Sequence, residues 1–406
     1  MNFNLYKPQE KPLIWKRPVS FKLAIFVMLV LLAGVLYLVH KNSKIVYEQN
    51  NYSGGRGKHK ITVQPEVTPK KEEWHFVPGA FTMEQVKKNG CVADGFLSGY
   101  GDKTSDIADM LDRSKCVYLH RALETWLRPP DFEKANEIMQ KIEKRPVVYG
   151  MFLAEAISTR RNYEDPEWEH KFEFKKMCRN GNYNQWEKNS CTPSVNEPEY
   201  RRYLKSITHR AMDLGIQSFL FGQVELQDEK PNFENTQIRI VLDDMREYAK
   251  EKNMQIIIGA QTNSIADERY LRLFDYIEGG VGIDQNGAVE NQPCSSKFSS
   301  CWGLLWDKQY SSKANNVLLH LDWSGLTWDD MGVFARMDQD RRIKTLDNLY
   351  NKFTKQNMGF LMPFLAVLNH ENEGCYGPNK HFYTPSKKYR CDDEGKINKM
   401  MPDVKM

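Results

Sequence analysis

Several absences narrow this chain first. No cysteine precedes Cys91, and none of the eight is spaced C-x₂₋₄-C, the usual layout of a structural zinc site. H-x-H and H-E-x-x-H are both missing, so the motifs lead us to expect neither a metal nor a cofactor. The stretch DGFLSGYGD is not G-x-G-x-x-G, which removes the commonest phosphate-cradling turn. Charge of one sign is scarce too: 57 basic residues face 53 acidic ones, a net of +4. That balance argues against nucleic acid as a partner. Long apolar runs are absent with one exception.

The exception is Leu23 to Val39, seventeen residues without a charge. It follows a basic segment, residues 1–22, with Lys7, Lys11, Lys16, Arg17 and Lys22 against Glu10. The run reaches the lower limit for a spanning helix and is expected to be an uncleaved signal anchor, N-terminus inside. A cleaved signal peptide is the competitor, but no clear small-residue cleavage site follows the run. Residues 40–73 are polar, with Gly54, Gly55, Pro65 and Pro69, and read as a stalk; Asn51-Tyr52-Ser53 is a glycosylation sequon. An even cysteine count beyond residue 90 favours disulfides in an extracytoplasmic domain. Local pairing is expected for Cys91 with Cys116, Cys178 with Cys191, Cys294 with Cys301, and Cys375 with Cys391.

The folded part is expected over residues 74–391, followed by a polar tail at 392–406. Eight short apolar runs recur along it: Cys91–Leu97, Cys116–Arg121, Pro146–Ala154, Ile216–Val224, Gln255–Gln261, Tyr276–Ile283, Val317–Trp323 and Gly359–Ala366. Helical patterns such as DFEKANEIMQKIEK and DRRIKTLDNLYNKFTKQN separate them. Eight alternations of this kind predict an α/β fold, a (β/α)₈ TIM barrel, rather than a doubly wound open sheet.

Period-two alternation assigns the strand residues to faces. With the branched aliphatics turned to the helices, polar groups collect on the inward phase, mostly at strand C-terminal ends. They are Asp94, His120, Glu155, Gln223, Glu225, Gln261, Asn263, Asp284, His320 and Asp322. Glu278, Tyr118 and Tyr149 share that phase. In the fourth run the inward set is taken to be Gln217, Phe219, Phe221, Gln223 and Glu225. A barrel interior used only for packing is filled with Val, Ile and Leu, and unpaired buried carboxylates are costly. The polar set therefore marks a site.

Trp126, Trp186, Trp302, Trp306, Trp323 and Trp328 fall in or beside loops expected at the same mouth. Carboxylates at strand ends together with tryptophans for sugar stacking resemble the glycoside hydrolases built on (β/α)₈ barrels, over roughly residues 90 to 370. The resemblance implies a carbohydrate substrate and carboxylate general acid/base chemistry. In the large retaining clan of such barrels a Glu after Asn ends the fourth strand and a Glu ends the seventh. Here Val224 precedes Glu225, and Asp322 replaces the second Glu. On this reading Glu225 is the acid, Asp322 its partner and Glu155 the reserve. Asp94, His120, Gln223, Gln261, Asn263, Asp284, His320 and Trp323 would bind the sugar. The alternatives are a non-catalytic carbohydrate-binding barrel, a membrane-anchored glycosyltransferase, which lacks a D-x-D motif at any strand end, and a metal-dependent hydrolase using His120, His320 and Asp322, which lacks H-x-H and H-E-x-x-H.

Overall fold

The computed structural model describes residues 80–101, 103–142, 147–165, 170–290, 305–321, 329–368, 382–389 and 391–404. Each of the eight apolar runs holds a strand. They are β1 (Gly90–Ala93), β2 (Tyr118–Leu123), β3 (Val148–Leu153), β4 (Ser218–Phe221), β5 (Ile257–Ala260), β6 (Tyr276–Val281), β7 (Val317–Leu321), and a last stave in two pieces, β8 (Gly359–Phe360) and β9 (Met362–Val367). Successive strands pair in parallel, in chain order. β8 pairs with β7, and β9, one residue further on, pairs with β1. Leu361 N–H bridges the step by donating to Leu319 O at 2.7 Å. The sheet thus curls round on itself in a TIM-like α/β fold.

Helices cover the outside because their apolar positions recur at three- and four-residue spacing. In Ile238–Glu251 the buried positions are Ile238, Val241, Leu242, Met245 and Ala249. Met83–Asn89, just before β1, starts with a capping box between Thr82 and Gln85, which satisfies two orphan N–H groups. Strands covered on one side by helices and on the other by the barrel interior are buried on both faces, as β3, β4, β5 and β7 are throughout.

Contacts between non-adjacent strands identify the interior. The Tyr118 hydroxyl of β2 meets Ser218 Oγ of β4 at 3.1 Å and the Tyr276 hydroxyl of β6 at 3.2 Å. Such contacts exist only across a barrel, and side chains from alternate strands form one of its layers. Gly259 makes room for this layer: a Cβ there would lie 2.2 Å from the Tyr276 ring. Ser218 is therefore an inward residue, which corrects the phase expected for β4. Its inward set is the even positions, and Phe219 and Phe221 face the helices. With apolar residues on both sides of this strand, alternation alone does not choose between them.

Two of the expected disulfides are present, Cys91–Cys116 and Cys178–Cys191. Cys294, Cys301 and Cys375 lie outside the described residues, and Cys391 is buried. Among the described residues no helix is long and apolar enough to cross a membrane; Leu23–Val39 lies outside them, as does the 40–73 segment. The stretch expected as a polar tail carries a helix, Glu394–Met400, with Ile397 and Met401 buried. Just before it, the buried Asp393 accepts from Arg342 Nε at 2.8 Å and from the Tyr383 hydroxyl at 2.9 Å.

Candidate active site

The chain leaves β4 abruptly. Gly222 is followed by Gln223 at φ 24°, ψ 66°, a left-handed conformation unusual for a residue with a Cβ. This break starts a single helical turn, Val224–Gln227. Gln227 is fully buried and holds the turn in place: its amide donates to Leu153 O at 3.1 Å and its Oε1 accepts from the Tyr200 hydroxyl at 2.8 Å. Arg179 caps the other end through Leu226 O at 2.9 Å and Glu225 O at 3.3 Å. The β4 phase error is thereby undone, because the turn carries Glu225 back towards the residues that follow β3 and β5.

Glu155, Gln223 and Gln261 form one hydrogen-bonded set and Glu225 and Asn263 a second, near enough for Glu225 to act on Glu155 electrostatically. Gln223 Nε2 donates to Glu155 Oε1, and Gln223 N–H donates to Gln261 Oε1 at 3.1 Å. Asn263 Nδ2 donates to Glu225 Oε1 at 2.9 Å, from a backbone at φ 46°. In each glutamate the other oxygen, Oε2, is buried and accepts nothing. Glu155 is 1% exposed, and burial pushes its pKa up to about 7 against the pull of its own backbone N–H, Gln223 and Arg121. The negative charge of Glu225 raises it further. Glu225, half-buried, is also raised by burial, with Asn263 opposing the shift. A neighbouring negative charge makes a buried carboxyl harder to ionise, which adds to the effect of burial on Glu155.

A hairpin closed by Cys178–Cys191 lies over this group. Its Trp186 Nε1 donates to Glu155 O at 3.1 Å, and the indole meets Trp126 edge-on with centroids 5.1 Å apart. Both rings are half-buried. Trp306 is not at the mouth; it packs on Phe353 of the outer helix Gln339–Thr354. Asp322, Trp302, Trp323 and Trp328 lie outside the described residues.

The other candidates fall elsewhere. His120 and His320 gather round Glu278 inside the barrel, at 3.3 Å for His120 Nε2 and in closer contact for His320. Asp94 stands 3.8 Å from Arg121 Nη2. Asp284 uses Oδ1 on Asn286 N–H at 2.8 Å and Ala288 N–H at 2.9 Å, which closes a turn. It does not join the Glu155 group.

Arg121 and Glu124 were missed as site residues. Arg121 adopts φ 54°, lies 3.8 Å above the Phe152 ring and donates to Glu124 Oε1 at 3.0 Å. Burial lifts the Glu124 carboxyl well above its usual range despite this partner. Asp330, outside the Glu155 group, accepts from Ile283 N–H at 2.7 Å and is raised to about 7 by burial. The sequence signal for Arg121 and Glu124 was two charges within five residues of an otherwise apolar strand, HRALE.

No family model matches the chain, and no curated protein matches it. Among solved structures, one similar to it is Amy13B of Eubacterium rectale, at 10% identity and TM-score 0.40, covering 71% of this chain and 69% of that one. A β-L-arabinopyranosidase from Geobacillus stearothermophilus gives 7% and 0.29, covering 49% and 55%. An α-galactosidase from Thermus thermophilus gives 12% and 0.29, covering 45% and 41%. The chain thus spans about half the length of the last two. The similar structures are glycoside hydrolases, the class the sequence resembles. At these scores they carry no argument about which residues act or on what.

Proposed function

We propose that the protein is a glycosidase whose acid/base pair is Glu155 and Glu225. The observation that carries the reading is that these two carboxylates lie close enough for the charge of Glu225 to act on Glu155, each with one oxygen engaged and the other buried without a partner. Unpartnered carboxylate oxygens cost stability, and such costs concentrate where chemistry requires them. Glu155, held near 7, is the proton donor to the leaving oxygen. Glu225, the more exposed of the two, is the carboxylate that attacks the sugar or activates water. This reverses the role the sequence reading assigned to Glu225 and brings Glu155 out of reserve. Gln223 and Asn263 orient the two acids, and Trp126 and Trp186 offer faces for a sugar ring.

The protein is further proposed to act outside the cytosol, held by Leu23–Val39 as an anchor. Supporting this are the uncharged run itself and the two disulfides, which persist in oxidising compartments.

The test is a panel of oligo- and polysaccharides assayed for release of reducing ends. Wild type should cleave at least one member, and Glu225→Gln should lose on the order of 10²–10⁴ in turnover. Binding without cleavage across the panel replaces this reading with the non-catalytic one.

A further inference from the structure

Inside the barrel, His120 of β2, Glu278 of β6 and His320 of β7 converge. One ligand atom from each lies within 4.8 Å of the other two. Their exposures are 0%, 1% and 3%. A buried carboxylate between two imidazoles is expensive unless something positive holds it.

The surrounding hydrogen bonds show which ring atoms face the carboxylate. His320 Nδ1 is 2.7 Å from Leu321 O. A carbonyl only accepts, so Nδ1 carries the hydrogen and the neutral ring turns the Nε2 lone pair to Glu278 Oε1. That contact is repulsive unless a second ring proton or a metal cation lies between the two atoms. An N–H to a backbone carbonyl is also the usual outer support of a metal-binding imidazole. His120 is oriented alike: its Nδ1 meets the Tyr118 hydroxyl at 2.7 Å, and its Nε2 faces the same Glu278 oxygen at 3.3 Å. Tyr118 can accept from Nδ1 because its own hydrogen has Ser218 Oγ and the Tyr276 hydroxyl to go to.

The remaining observation is on the carboxylate. Glu278 Oε2 is buried and has no hydrogen-bond partner. A proton on His320 settles the Oε1 contact and leaves Oε2 bare. A divalent ion engages both imidazoles and either carboxylate oxygen.

We propose that His120, Glu278 and His320 form a binding site for a first-row divalent metal ion of the zinc type. Two imidazoles and one carboxylate are borderline ligands suited to zinc or its neighbours, whereas calcium and magnesium require more oxygens. Bonds of about 2.0–2.1 Å place tetrahedral ligands about 3.4 Å apart, a spacing His120 and Glu278 already meet. The His320 contact has to open by on the order of an ångström, which rotation of the carboxylate provides. Sequence motifs could not reveal the site because its ligands come from three separate strands. It does not depend on the glycosidase reading, since neither Glu155 nor Glu225 is a ligand.

The experiment uses the full chain, expressed with added zinc and purified without chelator. Elemental analysis should find one zinc per chain. Protein stripped under mild denaturation and refolded with Co²⁺ should show d–d absorption from a nitrogen- and oxygen-ligated ion, and Zn²⁺ should raise Tm. Glu278→Gln and His320→Asn should each weaken zinc binding by on the order of 100-fold or more, since even outer partners of metal ligands account for ~10–100-fold. Glu155→Gln should keep the zinc. Folded wild type that holds no zinc and takes up neither ion on refolding overturns the proposal; so does a folded Glu278→Gln protein with wild-type affinity. If neither ligand variant folds, X-ray absorption of the zinc-loaded wild type decides. Two imidazoles in the first shell are expected, and none would overturn the site.

Discussion

Gln223 holds Glu155: its side-chain amide donates to Glu155 Oε1 while its own N–H is fixed by Gln261. The donor favours the charged form of Glu155 and so works against burial. Replacing Gln223 by Leu removes it, and the Glu155 proton should be held more tightly. The alkaline limb of the pH–kcat/KM profile should move to higher pH in Gln223→Leu. A shift to lower pH would mean that Gln223 does not act on this carboxyl.

The pH dependence of stability follows from the same acid. Below the usual glutamate value of 4.5, folded and unfolded chains both hold the proton; between there and about 7 only the folded chain does. Glu155 therefore makes stability fall with rising pH across that window, by on the order of 3 kcal/mol. Glu155→Gln should flatten the fall and be more stable than wild type at pH 8, as measured by urea denaturation at several pH values. An unchanged slope would place the Glu155 pKa near its unfolded value.

Gly222 gives a steric test. A Cβ there would lie 2.2 Å from Glu155 Oε2 and 2.4 Å from Phe152 Cζ, both buried side chains. Gly222→Ala should cost about 1–3 kcal/mol, the usual penalty for overpacking, and reduce turnover by displacing Glu155. Thermal denaturation and a glycan assay on the same sample check both parts.

Away from the site, Arg342 and Asp393 form a buried ion pair at 2.8 Å that ties the C-terminal segment to the helix Gln339–Thr354. Arg342→Met leaves the aspartate buried without its cation, and should cost about 3–5 kcal/mol. Chemical denaturation should show this as a lower midpoint with little change in slope.

The strands were legible because short apolar runs separated by helical patterns leave few alternatives, and all eight appear where the runs stand. Glu155, Gln223, Glu225, Gln261 and Asn263 were legible as polar residues at strand ends. The phase of β4 was not, because Phe219 and Phe221 on one face and Leu220 on the other bury equally well. Arg121 escaped for a different reason. Its positive φ sits in a shift of register between β2 and β3, where period-two reasoning fails. Asp284 has the residue type of a site but serves a turn, and only its hydrogen bonds reveal that. The C-terminal helix looked like a tail because most of its residues are polar; Ile397 and the Arg342–Asp393 pair hold it down.

If Glu155 donates a proton to the departing sugar oxygen, Glu155→Gln and Glu225→Gln should respond differently to two substrates that share the cleaved sugar. One carries a natural oligosaccharide leaving group, and the other a dinitrophenyl group that departs without protonation. Glu155→Gln should lose on the order of 10²–10⁴ in kcat/KM on the first and far less on the second, while Glu225→Gln should lose heavily on both. Equal losses for Glu155→Gln on the two substrates, or full activity on the natural one, would mean that Glu155 is not the proton donor.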